Sequence, residues 1–152
     1  MRGNFRAAKT KYHHGELKTA LIEAAGGLVD IRGLEAVSLR EVARRAGVSE
    51  AAPYRHFENV AALLAAVAEE GFRMLQADLD VVRDPGNLAA TYLAFARDYP
   101  GRYKLMFTVP GMTQAARIAA AKKLVVTLGG VEALAQLHGR AMLEVEGLVS
   151  AA

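Results

Sequence analysis

The residues best able to do chemistry lie between Ser38 and Phe57, in the run SLREVARRAGVSEAAPYRHF. Tyr54, Arg55 and His56 offer hydrogen-bond donors in succession, and the small side chains Ala51 and Ala52 precede them. Donors projecting from a slim helix suit phosphates and base edges in a major groove, where DNA sequence is read by hydrogen bonding. Glu50 opens the segment. Its carboxylate either accepts from a cytosine amino group or favours the positive end of a helix dipole, and the dipole reading is preferred. Phe57 is the apolar anchor. Catalytic arrangements do not stand out elsewhere. Glu69 and Glu70 are adjacent, so on a helix they diverge, and the same geometry argues against a metal site at His13-His14. With no cysteine, thiol catalysis and Cys-based zinc sites are excluded. The expectation is a protein that is not an enzyme and needs no cofactor or metal.

Two short helices must position those donors. Ser38 is a good N-cap, and Glu41 stands three residues on, as a capping box requires. Leu39, Val42 and Ala43 face inward. Gly47 ends this helix, and Ala46 and Val48 close the turn. Ser49 is expected to cap a second helix, SEAAPYRHF, with Pro53 tolerated in its first turn. Two short helices joined by a glycine turn form the helix-turn-helix pattern. Ser38, Arg40 and Ser49 join Glu50, Ala51, Ala52, Tyr54, Arg55 and His56 as candidate DNA contacts.

Helical periodicity extends over nearly the whole chain, so the fold class is all-α. A first helix is expected over about Gly15 to Arg32, with Leu17, Ala20, Leu21, Ala24, Leu28 and Ile31 on one face. A long helix starts near Asn59 and ends before Asp84-Pro85-Gly86, with Asp78 as the polar exception on its stripe. A further helix carries Leu88, Tyr92, Phe95 and Tyr99. Pro100-Gly101 interrupts it before RYKLMF resumes, and Pro110-Gly111 makes another break. Two last helices, about Thr113–Leu128 and Val131–Val149, are split by Gly129-Gly130. The expected division is a DNA-reading unit at 1–58 and a helical effector-binding and dimerisation unit at 59–152. The aromatic and methionine set Tyr92, Phe95, Tyr99, Tyr103, Met106, Phe107 and Met112 is ordinary core at most positions. Tyr92, Phe95, Tyr99, Tyr103 and Phe107 are the candidates for a ligand-pocket wall. The apolar stripe of the last helix, Val131 to Val149, is broad enough to suggest a homodimer.

The charge is uneven. Residues 1–60 hold 10 Lys/Arg against 7 Asp/Glu, while residues 61–152 hold 9 against 9. Arg2, Arg6, Lys9 and Lys11 form a basic arm fitted to a polyanion, and Lys9 and Lys11 are its candidate DNA contacts. Hydrophobic residues make up 53% of 152, which excludes a disordered chain. No run reaches the roughly 20 apolar residues of a membrane span. The N-terminal stretch lacks the apolar core of a signal peptide, so a soluble, cytoplasmic protein is expected.

Residues 12–75, through YHHGELKTALIEAA, SLREVARRAGVS and AAPYRHFENVAALLAAVAEEGF, resemble the TetR family of bacterial transcriptional regulators. The resemblance implies an N-terminal DNA-binding domain and a C-terminal helical domain that dimerises and binds a small effector. It implies a repressor released from a palindromic double-stranded operator when the effector binds. YLAFARDYPGRYKLMF and ALAQLHGRAMLEVEGLV, with His138-Gly139, are similar to the rear domain of one TetR subgroup. The interval from Phe107 to His138 is 31 steps, short for that subgroup by about one helix or a long loop. Many relatives carry a lysine just after the reading helix, where this chain has Val60. A phosphate contact is thereby lost, which reduces the salt slope by about one unit. The alternative reading is an architectural helix-turn-helix protein that binds DNA without an effector pocket.

Overall fold

The computed structural model describes residues 14–108 and 114–150. Lys9, Lys11, His13, Met112 and the Pro110-Gly111 break lie outside the described residues. Seven α-helices run in order among those described: α1 His14–Arg32, α2 Leu39–Arg45, α3 Val60–Asp80, α4 Leu88–Asp98, α5 Pro100–Thr108, α6 Gln114–Leu128 and α7 Val131–Val145. Short 3₁₀ turns cover Leu34–Ala36, Pro53–Arg55 and Pro85–Asn87. No strand occurs among the described residues.

Local signals account for several boundaries. The Ser38 side chain accepts from the Glu41 N–H at 3.1 Å and so caps α2. Asn59 does the same for α3, accepting from the Ala62 N–H at 2.9 Å. The end of α2 is a Schellman motif. Gly47 sits at φ 69°, the Val48 N–H donates to the Ala43 carbonyl at 3.0 Å, and the Gly47 N–H donates to Arg44 at 3.2 Å. Only glycine takes that left-handed backbone without cost, so the turn angle rests on Gly47.

The long helix α3 is the spine. It packs against α1, α4, α5 and α6, while α7 covers α4 and α6. Leu21, Leu28, Val42, Phe57 and Leu63 at the front join Leu75, Tyr92, Tyr103, Met106 and Leu124 at the rear in one continuous core. Each fully buried leucine contributes about 1.5–3 kcal/mol.

The faces differ in detail from the sequence expectation. Ile31 is 72% exposed, and Val29 takes the buried position near the end of α1. Asp78 is also exposed, and the buried polar residue of α3 is Gln76. Its amide donates to Asp80 at 2.6 Å and to Thr127 at 3.1 Å, so burial is satisfied on the nitrogen side. The α7 helix stops at Val145, because Gly147 at φ 72° lets the Leu148 N–H turn back to the Leu143 carbonyl.

One close approach ties α5 to α1. A Cβ on Gly101 would lie 2.2 Å from the Val29 carbonyl oxygen, so only glycine lets these two backbones meet. At this contact the Arg102 N–H donates to Asp30 Oδ1 at 2.8 Å, and Arg102 Nε stands 2.8 Å from Asp30 Oδ2. The two side chains are only 12% and 11% exposed. Burial nevertheless raises the Asp30 carboxyl above its ordinary range, outweighing the favourable Arg102 contacts.

Candidate nucleic-acid interface

The expected second helix of the motif is not a regular α-helix. Residues 50–52 form a turn, followed by one 3₁₀ turn at Pro53–Arg55. Pro53 is the physical reason, since it has no N–H to return to the Ser49 carbonyl. That carbonyl is taken instead by the Ala52 N–H at 2.9 Å. The expectation that Ser49 caps this segment is corrected as well. The N-cap of the 3₁₀ turn is Ala52, and no side chain caps it. The segment closes with the Phe57 N–H donating to Pro53 at 2.9 Å.

Pro53 and Phe57 are buried, and between them Tyr54 and Arg55 face outward. Tyr54 is 63% exposed, far more than a core tyrosine. His56 is half-buried, its ring 6.5 Å from that of Phe57. Ala51 is exposed and Ala52 half-buried, so little bulk precedes the donors.

Glu50 makes a contact that neither expected role includes. It accepts from Arg40 Nε at 2.8 Å, which ties α2 to the turn segment. The pair is well exposed, at 78% and 65%, and such surface pairs contribute little to stability. The Arg40 guanidinium is held above its ordinary value, first by the Glu50 hydrogen bond and charge and then by nearby Tyr54. The structure therefore brings Arg40 and Glu50 together. Ser38 is occupied as a cap, and Ser49 is exposed.

The sequence reading passed over the rest of the α2 surface. Glu41 accepts from Arg44 at 2.8 and 2.6 Å and from Arg32 at 3.3 Å, tying α2 to the end of α1. The Arg44 hydrogen bond holds the Glu41 carboxyl below its ordinary range. Arg32 and Arg44 are 58% and 72% exposed, so the surface around the motif carries more cationic donors than the candidate set named.

The rear aromatics form a packed cluster. Tyr92 and Tyr103 are fully buried, with their hydroxyls 3.0 Å apart. Tyr103 also meets His138 Nδ1 at 2.7 Å, and the Phe107 ring centroid lies 4.2 Å from that of His138. Phe95 and Tyr99 pair at 5.1 Å. Burial pushes the Tyr92 hydroxyl up to about 12, raises Tyr103 and lowers His138, so all three stay neutral near pH 7. None of the five expected pocket residues lines the clefts at Phe72–Lys123, at Leu88–Leu137 or beside Lys104. The described residues contain no group of three or more acidic or histidine side chains able to hold a metal. They also contain no helix long and apolar enough to cross a membrane.

A capped helix, a Schellman turn and an exposed donor segment follow the order of a helix-turn-helix, with a 3₁₀ turn in place of the second helix. The model of bacterial regulatory proteins of the tetR family matches residues 21–67, from α1 into α3. The model of the tetracyclin repressor-like C-terminal domain matches residues 86–135. A solved protein of unknown function from Rhodococcus sp. RHA1 is 30% identical, with a TM-score of 0.74, covering 95% of this chain and 90% of that one. A TetR family transcription regulator from Marinobacter aquaeolei VT8 shares the fold at 16% identity and a TM-score of 0.61, covering 90% of this chain and 87% of its own. SCO0253, a TetR-family transcriptional regulator from Streptomyces coelicolor, does so at 20% identity and 0.55, covering 85% and 83%. No curated protein matches the sequence. The chain belongs to the TetR family and has the DNA-binding fold of its transcriptional regulators.

Proposed function

We propose that the protein is a transcriptional repressor that holds a palindromic DNA operator as a homodimer and is released by a small, mainly apolar effector. The observation that carries this reading is the exposed pair Tyr54 and Arg55, mounted on the buried Pro53–Phe57 anchor, with exposed Arg40 on α2. In this reading residues 1–58 form the DNA-reading unit. Tyr54 and Arg55 meet base edges or phosphates, with His56 beside them, and Ala51 and Ala52 permit close approach. Lys9 and Lys11 add phosphate contacts, as do Arg40 and the hydroxyl of exposed Ser49.

Residues 59–152 dimerise and receive the effector. Val126 on α6 and Val131 and Leu143 on α7 are 81%, 70% and 44% exposed, apolar side chains available to a second copy. Because Tyr92, Phe95, Tyr99, Tyr103 and Phe107 fill their own space, the effector is placed in the adjoining cleft of α3 and α6. Phe72 lines that cleft and meets Phe107 edge-on at 5.4 Å. Gln76 Oε1 is buried there with no hydrogen-bond partner among the described residues, so an effector donor would satisfy it. Selection of bound duplexes from random DNA tests the reading. A two-fold symmetric consensus is expected; binding with no enriched sequence would overturn it and favour an architectural role.

A further inference from the structure

A second cavity, of about 470 Å³, opens where the end of α1 meets α5 and the last turn of α7. Its volume lies in the range of small-molecule sites, about 300–1,000 Å³. Val29, Leu105, Met142 and Val145 supply apolar walls, and Lys104 and Glu146 line it with charge. It shares no lining residue with the Phe72–Gln76 cleft.

The charges around it are already matched. Asp30 gives both carboxylate oxygens to Arg102. Lys104 Nζ lies 2.7 Å from Glu146 Oε1, with the two side chains 40% and 48% exposed, so this pair borders solvent. A charged ligand would have to separate the members of such a pair or lay an unmatched charge beside the apolar walls, and either course costs more than admitting a neutral one. A neutral ligand need not disturb them. An ammonium carries three donors, and Glu146 occupies one, so Lys104 retains donors for a neutral oxygen.

We propose that this cavity is a binding site for a neutral, mainly apolar small molecule that carries one hydroxyl or carbonyl group. The apolar body lies on Val29, Leu105 and Val145, and the oxygen accepts from Lys104. Because α1 and α5 both line the site, its occupant bridges the DNA-reading unit and the rear unit. The proposal concerns binding to the free protein, so it stands or falls separately from repression.

The test is calorimetric titration of the full chain, without DNA, with 1-octanol, octanoate and octylammonium, which share a chain and differ in head group. The neutral alcohol is expected to bind about tenfold more tightly than either ion, reflecting the cost of an unmatched charge. Lys104→Met leaves Glu146 unmatched and should improve octylammonium binding. Glu146→Gln leaves Lys104 unmatched and should improve octanoate binding. Val145→Trp, which fills the cavity, should abolish alcohol binding. Equal binding of all three heads, or a ranking unmoved by both charge variants, would overturn the proposal. Because the two charge variants alter exposed side chains, the test holds even if Val145→Trp fails to fold.

Discussion

Replacing Gly101 by alanine tests the joint between α1 and α5. The added Cβ would lie 2.2 Å from the Val29 carbonyl oxygen and 2.8 Å from the Asp30 nitrogen. Both are backbone atoms held in α1, so the start of α5 must retreat by about 1 Å to reach ordinary contact. Overpacking of this kind costs about 1–3 kcal/mol. The same retreat stretches the 2.8 Å bond from the Arg102 N–H to Asp30, a charge-assisted bond in a largely buried pair. Its weakening adds about 1–2 kcal/mol, and the better helix propensity of alanine returns at most about 1. The net loss is about 1–4 kcal/mol, a fall in Tm of about 2–16 °C for a chain of this size. Thermal and urea unfolding followed by circular dichroism measure it. Gly139→Ala, within α7, supplies the contrast. Its Cβ would meet nothing within 4 Å, and alanine is the better helix former, so no loss of stability is expected. A Gly101→Ala protein within about 0.5 kcal/mol of the parent would refute the reasoning.

Tyr54→Ala should leave stability within about 0.5 kcal/mol, since the side chain is 63% exposed, while lowering operator affinity about tenfold or more. Fluorescence anisotropy on the selected duplex checks this, and unchanged affinity would remove Tyr54 from the interface. Phe57→Ala, at a position only 4% exposed, should cost about 3–5 kcal/mol in urea unfolding, and a smaller loss would deny it the anchor role. Burial lowers the His138 pKa, so the unfolded chain takes up that proton first. The His138 contribution is therefore complete above about pH 6.5 and is lost as pH falls below it. Asp30, raised by burial, acts in the opposite sense. His138→Asn, which retains an acceptor for Tyr103, should flatten the fall in Tm between about pH 7 and pH 5, and an unaltered slope would contradict the assignment.

What the sequence disclosed was what local rules govern. Ser38 with Glu41, Asn59 before an apolar run and Gly47 after a basic turn each act within a few residues, and each boundary lies where those rules put it. Pro53 was visible too, but its effect was underestimated, because the missing donor falls where a helix would need it. Glu50 could not be assigned from its neighbours, since its partner Arg40 lies on the preceding helix. The Asp30–Arg102 joint joins residues 72 positions apart and leaves no periodic trace. Similarly, the stripe of α3 puts Asp78 on the inward face, yet Asp78 is exposed and Gln76 is the buried polar residue. Gln76 finds Thr127 on α6. The aromatic set was legible as apolar, but whether it lines or fills a space depends on how Tyr92, Tyr103 and His138 meet across three helices.

The central claim is that two copies of this chain read duplex DNA through the Tyr54–Arg55 segment. Hydroxyl-radical footprinting of the selected duplex, combined with the protein–DNA stoichiometry, tests it most directly. The account predicts two chains per duplex and two symmetric protections centred about 34–36 Å apart, one helical turn. A single protected half-site with one chain per duplex, or uniform protection without register, would contradict it.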